Sequence, residues 1–409
     1  MTNSIWKSKI FVISWQIVLG IFCLLSLTSK SGVHLFGILL ILLSAIGLNW
    51  KNFFHQEKLA AGLFLLYPLA IVCGLFSTGH GESAFHVAMA WPWTLMVLPT
   101  VLVMGRTKDI QIVKYCLAIS LAIACLQCFY NFGVDFDGVF NFKTRVPSFW
   151  DISRWGLFSG LSLIFLIAIL TSLDFKKIFL SAKGIALLVL TVFDFICLFL
   201  SNNRGPWLGL GVALMVFFIL CRKSWKILLP VIVGATLIFS FSSVLHSRFN
   251  SISDVEVGHS GITSKDQSNL GRLNMWMVAS DFFKEQPLFG TGFENTEISL
   301  RNFLSRQTDE YRQKYVTDQY SYRDQHSSPI TMLVQMGIIF SFAFWILVVW
   351  GFWKIILRWY KTRSIFDAAL IAGILFHLVL CIVYTSFLSY EVVSFIPLLV
   401  MRGNSHGNA

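Results

Sequence analysis

The chain has 409 residues, of which 56% are hydrophobic and only 13% are charged, and its formal net charge is +11. This charged share is about half that of soluble proteins, and apolar runs of about 20 residues recur along the chain, which excludes a soluble globular protein. The positive charge does not indicate nucleic-acid binding, because it lies in the short connections between the apolar runs.

The apolar runs predict an all-α polytopic membrane protein with about twelve transmembrane helices. The first run is too long, and too weakly followed by small residues, to be a cleaved signal peptide. Eighteen Lys and Arg residues would lie on the side of the N-terminus and five in the short loops of the other side, which places the N-terminus in the cytoplasm. Pro92 and Pro99 predict a kink in the fourth span. The predicted spans are 9–28, 33–49, 59–76, 85–104, 110–132, 155–173, 184–201, 206–221, 227–245, 329–353, 365–385 and 388–401.

The chain is organised around one long polar stretch, residues 246–328. Loops of this length are usually functional or disordered. This one contains many aromatic side chains, which is too much apolar surface for a disordered segment. We therefore expect a folded periplasmic cap on the external face. The expected organisation is nine helices in 1–245, the cap in 246–328, three helices in 329–401, of which the last is short and contains Pro397, and a tail at 402–409.

Two arginines in the first substantial external loop are candidate substrate contacts. Arg145 and Arg154 flank Trp150 and Asp151 just before the sixth span. A guanidinium beside an aromatic ring at a membrane surface suits a lipid phosphate or a sugar, although it can also serve as an interfacial anchor.

The seventh span holds an acid and ends in an arginine-containing hinge. Asp194 lies within the span, where an acid is a functional candidate unless a neighbouring helix hydrogen-bonds it. The hinge follows as SNNRGPWLGLG, residues 201–211, in which Pro206 can open the next helix. Arg204 then lies near a helix N-terminus, where its planar fork and the helix N–H groups would favour a phosphate; snorkelling is the alternative. We interpret Cys125 and Cys128 as packing residues.

Within the polar stretch, Ser268 or Asn269 can cap a helix that runs to about Lys284. Arg272 would then lie in its first turn, where it opposes the helix dipole and is better explained by a bound anion. Trp276 lies one turn further along the same face and is a possible substrate contact. A second helix is predicted at about 294–306.

The last part of the stretch holds the candidate base. Tyr322 is one of four tyrosines that could stack on sugars or pack the cap. Asp324, a further possible substrate contact, and His326 follow it. Pro329 opens the tenth span, so His326 lies where the cap meets the membrane. Histidine titrates near neutral pH and is the usual general base.

Four segments resemble the O-antigen ligase and polymerase superfamily. They are SNNRGPWLG, the stretch from Arg145 to Asp151, GRLNMWMVASDFFKEQPLFGTGFEN at 271–295, and HSSPITMLVQMGIIF at 326–340. The third matches the family pattern G-R-x-x-x-W followed by P-L-x-G-x-G and is the most specific. Ser327 departs from the family, which often has Asn after this histidine.

The resemblance implies a glycosyl transferase of the periplasmic face of the bacterial inner membrane. Its donor would be an undecaprenyl-diphosphate-linked glycan, and it would need no nucleotide, metal or other cofactor. Arg204 and Arg272 would bind the diphosphate, and His326 would activate the acceptor hydroxyl. The single long loop and the modest length favour a ligase that uses lipid A-core as acceptor; the alternative is a polymerase whose acceptor is also lipid-linked. A transporter that uses Asp194 for coupling is a third reading, weakened because no internal repeat is evident.

Overall fold

The computed structural model describes Thr2 and residues 4–90, 92–140, 144–225, 255–258, 261–264, 267–293, 295–316, 320–322, 325–383 and 391–402. Within these residues, eight helices are long and apolar enough to cross a membrane, and two further apolar helices are shorter. The prediction of a multi-pass helical membrane protein is confirmed. The ninth predicted span, 227–245, and the first residues of the twelfth lie outside the described residues.

The described helices of the first half follow the predicted apolar runs closely. The fourth predicted span is broken around its prolines into two α-helices joined by a 3-10 turn at Pro92–Met96, as the prolines predicted. The helices are α1 (Lys9–Leu25), α2 (Lys30–Gly47), α3 (Trp50–Gln56), α4 (Lys58–Phe76), α5 (His80–Ala90), α6 (Val97–Met104), α7 (Thr107–Asp135), α8 (Ile152–Ser172), α9 (Phe175–Leu180), α10 (Ala182–Leu200) and α11 (Arg204–Leu220).

A buried carboxylate joins α1 to α7. Asp109 is fully buried and accepts hydrogen bonds from the Trp15 indole at 2.8 Å and the Gln16 amide at 3.0 Å. Arg106 lies 3.0 Å from the same carboxylate and compensates its charge. Buried charges are tolerated when they are paired and hydrogen-bonded in this way, so this acid is structural.

The described part of the polar stretch folds around its own apolar core. It contains α12 (Gln267–Phe283), α13 (Thr296–Ser305), α14 (Asp309–Tyr315), and a short antiparallel hairpin of β1 (Val255–Gly258) and β2 (Gly261–Ser264). This hairpin is the part of the described fold that departs from an all-helical architecture. The buried side chains of the core are Met275, Val278, Ala279, Phe282, Leu300, Phe303, Leu304 and Tyr320, joined by Val334 from the membrane helix that follows.

Three helices complete the described chain: α15 (Ser328–Thr362), α16 (Ile365–Val383) and α17 (Glu391–Val400). The Phe376 ring of α16 packs against the glycines of two other helices; a Cβ atom would lie 2.5 Å from it at Gly160 and 3.0 Å at Gly209. These glycines let α8 and α11 approach α16 closely. The last helix has 10 residues and contains Pro397, so its described part is about 15 Å long at helical rise, half of the hydrocarbon thickness.

Candidate functional site

A four-residue hinge, 201–204, brings Arg204 to the shared end of α10 and α11. Asn202 takes a left-handed backbone with φ of 47°, which reverses the chain directly after α10. Asn203 then precedes α11 in an extended conformation, and its side chain does not cap the helix. The first turn of an α-helix has N–H groups without intrahelical partners. The structure therefore places Arg204 beside a helix N-terminus, as the sequence predicted.

The loop before α8 is fastened to this hinge. The Val146 amide donates to the Leu200 carbonyl at 3.1 Å, and the Asn202 side chain donates to the Thr144 carbonyl at 2.9 Å. Arg145 lies between these two contacts and is exposed. The structure thus brings Arg145 to the same hinge as Arg204.

Arg154 lies at the same end of the bundle but forms an ion pair with the residue that caps its own helix. Its guanidinium lies 2.6 Å from the Asp151 carboxylate. Asp151 also accepts the amide hydrogen bonds of Ser153 and Arg154, both at 3.1 Å, and so caps α8. The carboxylate offsets the arginine's charge, which makes Arg154 a weaker anion ligand than the sequence alone suggested.

Trp276 joins the arginine-bearing helix of the cap to the segment that holds His326. The Trp276 indole donates a hydrogen bond of 2.8 Å to the Gln325 carbonyl, directly before His326. Arg272 lies one turn earlier on the same helix and is half-buried. Among the described residues, no carboxylate lies within ion-pair distance of it. Sequence reasoning took Trp276 as a substrate contact, but its N–H is occupied by the protein's own backbone.

The helix that carries Arg272 begins earlier than predicted. The described helix starts at Gln267, so Arg272 lies in its second turn or later. The dipole penalty of a helix falls off within the first turn, and it therefore supplies no argument for an anion at Arg272. Arg272 remains a candidate anion ligand because no carboxylate among the described residues pairs with it.

His326 lies two residues before α15, as Pro329 predicted. Its backbone is left-handed, with φ of 48°, which is uncommon for a residue other than glycine and often marks a functional position. The amide of Gln325 donates to the Thr331 hydroxyl at 3.1 Å, so the junction is held from the first turn of α15 as well. Asp324, a possible substrate contact from the sequence, lies outside the described residues.

Tyr322 is engaged within the cap. The Arg301 guanidinium lies 4.0 Å from the centre of its ring, and the Tyr320 ring meets it at 5.1 Å in an edge-on arrangement. Arg301 also pairs with Glu297 at 3.0 Å, at the four-residue spacing that places two side chains on one helix face. A substrate that contacts Tyr322 must therefore use the part of its ring that Arg301 does not cover. Burial raises the pKa of Tyr320, so this neighbouring phenol is not a base near neutral pH.

The segment 287–292 is inserted into a break in the membrane helix α15. Gly337 has φ of 70° and ψ of −180°, which interrupts the helix. The amides of Thr291 and Gly292 donate to the carbonyls of Val334 and Gln335 at 2.8 and 3.0 Å. In return, the amides of Ile338 and Ile339 donate to the carbonyls of Pro287 and Leu288 at 2.8 and 3.4 Å. The break therefore loses no hydrogen bonding at these positions, because cap backbone replaces helix backbone.

The glycines of this segment have a steric explanation. A Cβ atom on Gly290 would lie 2.6 Å from the Gln335 backbone, and one on Gly292 would lie 2.7 Å or less from the hydroxyls of Ser77 and Ser83. Both residues also have positive φ, at 73° and 95°. The spacing in P-L-x-G-x-G thus follows from close packing on two different neighbours.

The connection between α4 and α5, together with the first turn of α5, holds the cap from the other side, which sequence reasoning missed. The Phe293 amide donates to the Ser83 hydroxyl at 2.8 Å, and the Thr78 hydroxyl donates to the Thr291 carbonyl at 2.7 Å. Small polar residues concentrated in one connection of a strongly apolar chain were the available indication. We refer to residues 77–83 and their contacts with 291–293 as the hydroxyl seam.

The acid and the two thiols singled out in the spans are buried within the helix bundle. Asp194 is fully buried, and its carboxyl accepts a hydrogen bond of 2.6 Å from Ser159 on the neighbouring helix. This contact agrees with the hydrogen-bonded alternative for the acid. Cys125 and Cys128 are buried in the apolar core, as interpreted from the sequence.

Comparison with known proteins finds one family that matches part of the chain. Residues 185–346 match the model of the O-antigen ligase family. We refer to these matched residues as the O-antigen ligase segment. It extends from the start of α10 into α15 and contains Arg204, Arg272 and His326, whereas Arg145 and Arg154 precede it.

The match confirms the superfamily resemblance that the motifs indicated. No curated protein matches the chain. The O-antigen ligase segment holds the hinge, α12 and the broken helix, but the hydroxyl seam lies partly outside it, since residues 77–83 belong to the first half of the chain.

Proposed function

We propose that this protein is an inverting glycosyl transferase at the periplasmic face of the bacterial inner membrane. It moves a glycan from a polyprenyl-diphosphate carrier to a hydroxyl of lipid A-core oligosaccharide. The observation that carries this proposal is the hydrogen bond between Trp276 and Gln325, because it holds the Arg272 helix against the segment that contains His326. The family match supports glycan transfer in general.

The diphosphate requires fixed positive charge. As the bond to the sugar breaks, negative charge grows on the leaving diphosphate, and guanidinium groups aimed at that position stabilise it. No carboxylate among the described residues pairs with Arg272. Its positive charge is therefore not offset by an acidic side chain there and can attract such a ligand. Arg204 lies at a helix N-terminus, where backbone N–H groups favour the same anion.

The acceptor hydroxyl requires a base, and His326 is the residue that fits this role. In the proposed step the hydroxyl oxygen bonds to the anomeric carbon while its proton moves to His326. The bond between the anomeric carbon and the diphosphate oxygen breaks, and its electron pair leaves with the diphosphate. Attack opposite to the leaving group inverts the anomeric configuration.

A reconstituted assay with purified lipid-linked donor and lipid A-core acceptor tests these roles. We expect Arg204→Lys and Arg272→Lys each to reduce turnover by about 10²-fold, because Lys keeps the charge but loses the two-pronged geometry. Arg312→Lys is the matched control, since Arg312 lies on the cap surface in an ion pair with Asp309. Full activity of Arg272→Lys would refute bidentate phosphate binding at that residue.

The base role is tested by replacing His326 with Gln, which can hydrogen-bond but cannot accept a proton at neutral pH. We expect a loss of about 10²–10⁴-fold in turnover, with donor binding retained and the thermal stability unchanged. Turnover within about threefold of the wild-type rate would rule out His326 as the base.

The acceptor and the topology are tested in cells. A deletion strain with bare lipid A-core and accumulated polymer on the carrier supports the ligase, whereas core capped by a single repeat would assign the polymerase instead. Cysteine labelling from outside intact cells should reach position 260 and not position 362. Labelling of position 362 from outside would overturn the proposed orientation.

A further inference from the structure

We infer that Trp276 is a positioning residue for His326: its indole N–H holds the peptide before the histidine so that the imidazole keeps one fixed place relative to Arg272. This inference rests on the proposed function, because it requires His326 to act in the reaction. It assigns Trp276 a role other than the substrate contact that the sequence indicated.

The conformation of His326 is one that the chain does not adopt readily without support. A φ of 48° lies in the left-handed region, which is disfavoured for residues with a side chain. Such backbone persists where surrounding contacts over-determine it. Residues outside the turn must therefore hold the two residues that flank His326 in sequence.

Both neighbours are held. On the N-terminal side, the carbonyl of Gln325 accepts from the Trp276 indole at 2.8 Å, and its amide donates to the Thr331 hydroxyl at 3.1 Å. On the C-terminal side, the carbonyl of Ser327 accepts from the Thr331 amide at 2.9 Å. His326 is thus the one residue between two anchored neighbours, and its backbone has little freedom left.

The two anchors come from different parts of the chain, and this gives Trp276 a particular importance. Thr331 belongs to α15, which follows the histidine directly, so it fixes the turn only relative to its own helix. Trp276 belongs to α12, which also carries Arg272 four residues earlier. Its hydrogen bond therefore ties the histidine turn to the helix that carries the proposed phosphate-binding arginine.

Burial makes this hydrogen bond dependable. Gln325 and Thr331 are 1% and 0% exposed, so water does not replace a missing partner easily. Next to the indole on α12, Met275 is buried, and its sulfur accepts from the Ser321 amide at 3.4 Å. Removing only the indole N–H should leave this packing in place while releasing the Gln325 carbonyl.

The variant Trp276→Phe makes that change, and Trp50→Phe is its matched control, because the Trp50 indole donates to the Ala45 carbonyl at 3.1 Å far along the chain from the site. In the reconstituted transfer assay we expect Trp276→Phe to lower kcat by about 10–100-fold with KM for the donor changed by less than about twofold, since small displacements of a catalytic group are costly. Trp50→Phe should keep both constants. A proportional loss in both variants would mean a structural effect and would overturn the inference.

Thr331→Val provides a second route if Trp276→Phe folds poorly. It removes the hydroxyl that accepts the Gln325 amide and keeps the side-chain shape. Hydrogen exchange of the peptide 320–331 measures the mobility of the histidine turn independently of activity. We expect faster exchange in Trp276→Phe and Thr331→Val, and an unchanged rate in Trp50→Phe. Unchanged exchange in both site variants would refute the positioning role.

Combining substitutions separates this inference from the proposed function. If His326→Gln retains wild-type turnover, the base role is wrong and the positioning role falls with it. If His326→Gln is impaired and Trp276→Phe retains wild-type kcat, only the positioning role is wrong. The expected result is that Trp276→Phe adds no further loss to His326→Gln, because residues that act as one unit are not additive.

Discussion

Replacing Gly337 with Ala should separate the cap from the membrane helix. Gly337 lies in a backbone region that is essentially restricted to glycine, with φ of 70° and ψ of −180°. An added Cβ would lie 2.2 Å from the Leu288 carbonyl oxygen and 2.5 Å from the Phe289 nitrogen. Because these are backbone atoms, the inserted segment must move.

The cost follows from what that movement breaks. Backbone strain at such a position contributes about 1–3 kcal/mol. Shifting Leu288 weakens the two bonds that Ile338 and Ile339 donate, and each such hydrogen bond contributes about 0.5–1.5 kcal/mol. We expect a loss of about 2–6 kcal/mol in the free energy of unfolding. At about 2 °C per kcal/mol or slightly less for a chain of this size, Tm should fall by roughly 4–10 °C.

Thermal unfolding of the purified protein, monitored by size-exclusion chromatography after heating, measures this change. Gly290→Ala should give a similar loss, because its Cβ would lie 2.6 Å from the Gln335 backbone at the same junction. The loss of stability in the double variant should be less than the sum of the two single losses, since both substitutions disrupt the same contact. Gly133→Ala is the control, as no atom lies within 4 Å of its added Cβ. A Gly337→Ala protein with wild-type Tm and full transfer would refute the insertion of 287–292.

Three further results are expected. Asp109→Ala should destabilise the protein by about 3–5 kcal/mol, measured by thermal unfolding, because it leaves Arg106 without its buried partner. Ser83→Ala should cost about 1–3 kcal/mol by the same measurement, since the Phe293 amide loses its acceptor. Hydrogen bonds from Lys284 and Tyr311 hold the pKa of Asp281 below its usual value. The stability that Asp281 contributes is therefore present above its unfolded pKa and lost as pH falls through the lower folded pKa, so Asp281→Asn should flatten the acid side of the curve of Tm against pH.

Each of these has an outcome that contradicts it. Unchanged Tm in Asp109→Ala would mean that Arg106 finds another partner. Ser83→Ala with unchanged Tm would mean that the hydroxyl seam does not hold the cap, and Ser31→Ala, on the exposed surface of α2, serves as its control. A curve for Asp281→Asn that is parallel to the wild-type curve at low pH would show that this carboxylate makes no net contribution.

The helices were predictable from the sequence because membrane burial imposes long apolar runs. The predicted spans 155–173 and 184–201 correspond to Ile152–Ser172 and Ala182–Leu200. The tenth span was predicted to end at 353, but the helix continues to Thr362. Hydropathy marks where apolar side chains stop, whereas backbone hydrogen bonding continues through the basic residues that follow.

The breaks and cross-contacts were not predictable in the same way. Glycine is common in membrane helices, so its occurrence at 337 does not reveal a positive φ. Trp276 and Tyr322 have the chemistry of sugar contacts, but each is engaged by a residue distant in sequence, Gln325 or Arg301. Single-sequence patterns identify which side chains can bind and do not show which are already occupied by the protein.

The hydroxyl seam limits how this protein can be recombined with its relatives. The O-antigen ligase segment begins at 185, yet Gly292 within it fits against Ser77 and Ser83, which a chimera would take from a different parent. A larger residue at either serine would enter the space that the absent side chain of Gly292 leaves open. Exchange of the segment alone should therefore succeed only between parents with small residues at both positions, whereas exchange that includes 77–83 should be tolerated more widely. The boundary of the transferable unit is set by this contact and not by the limits of sequence similarity.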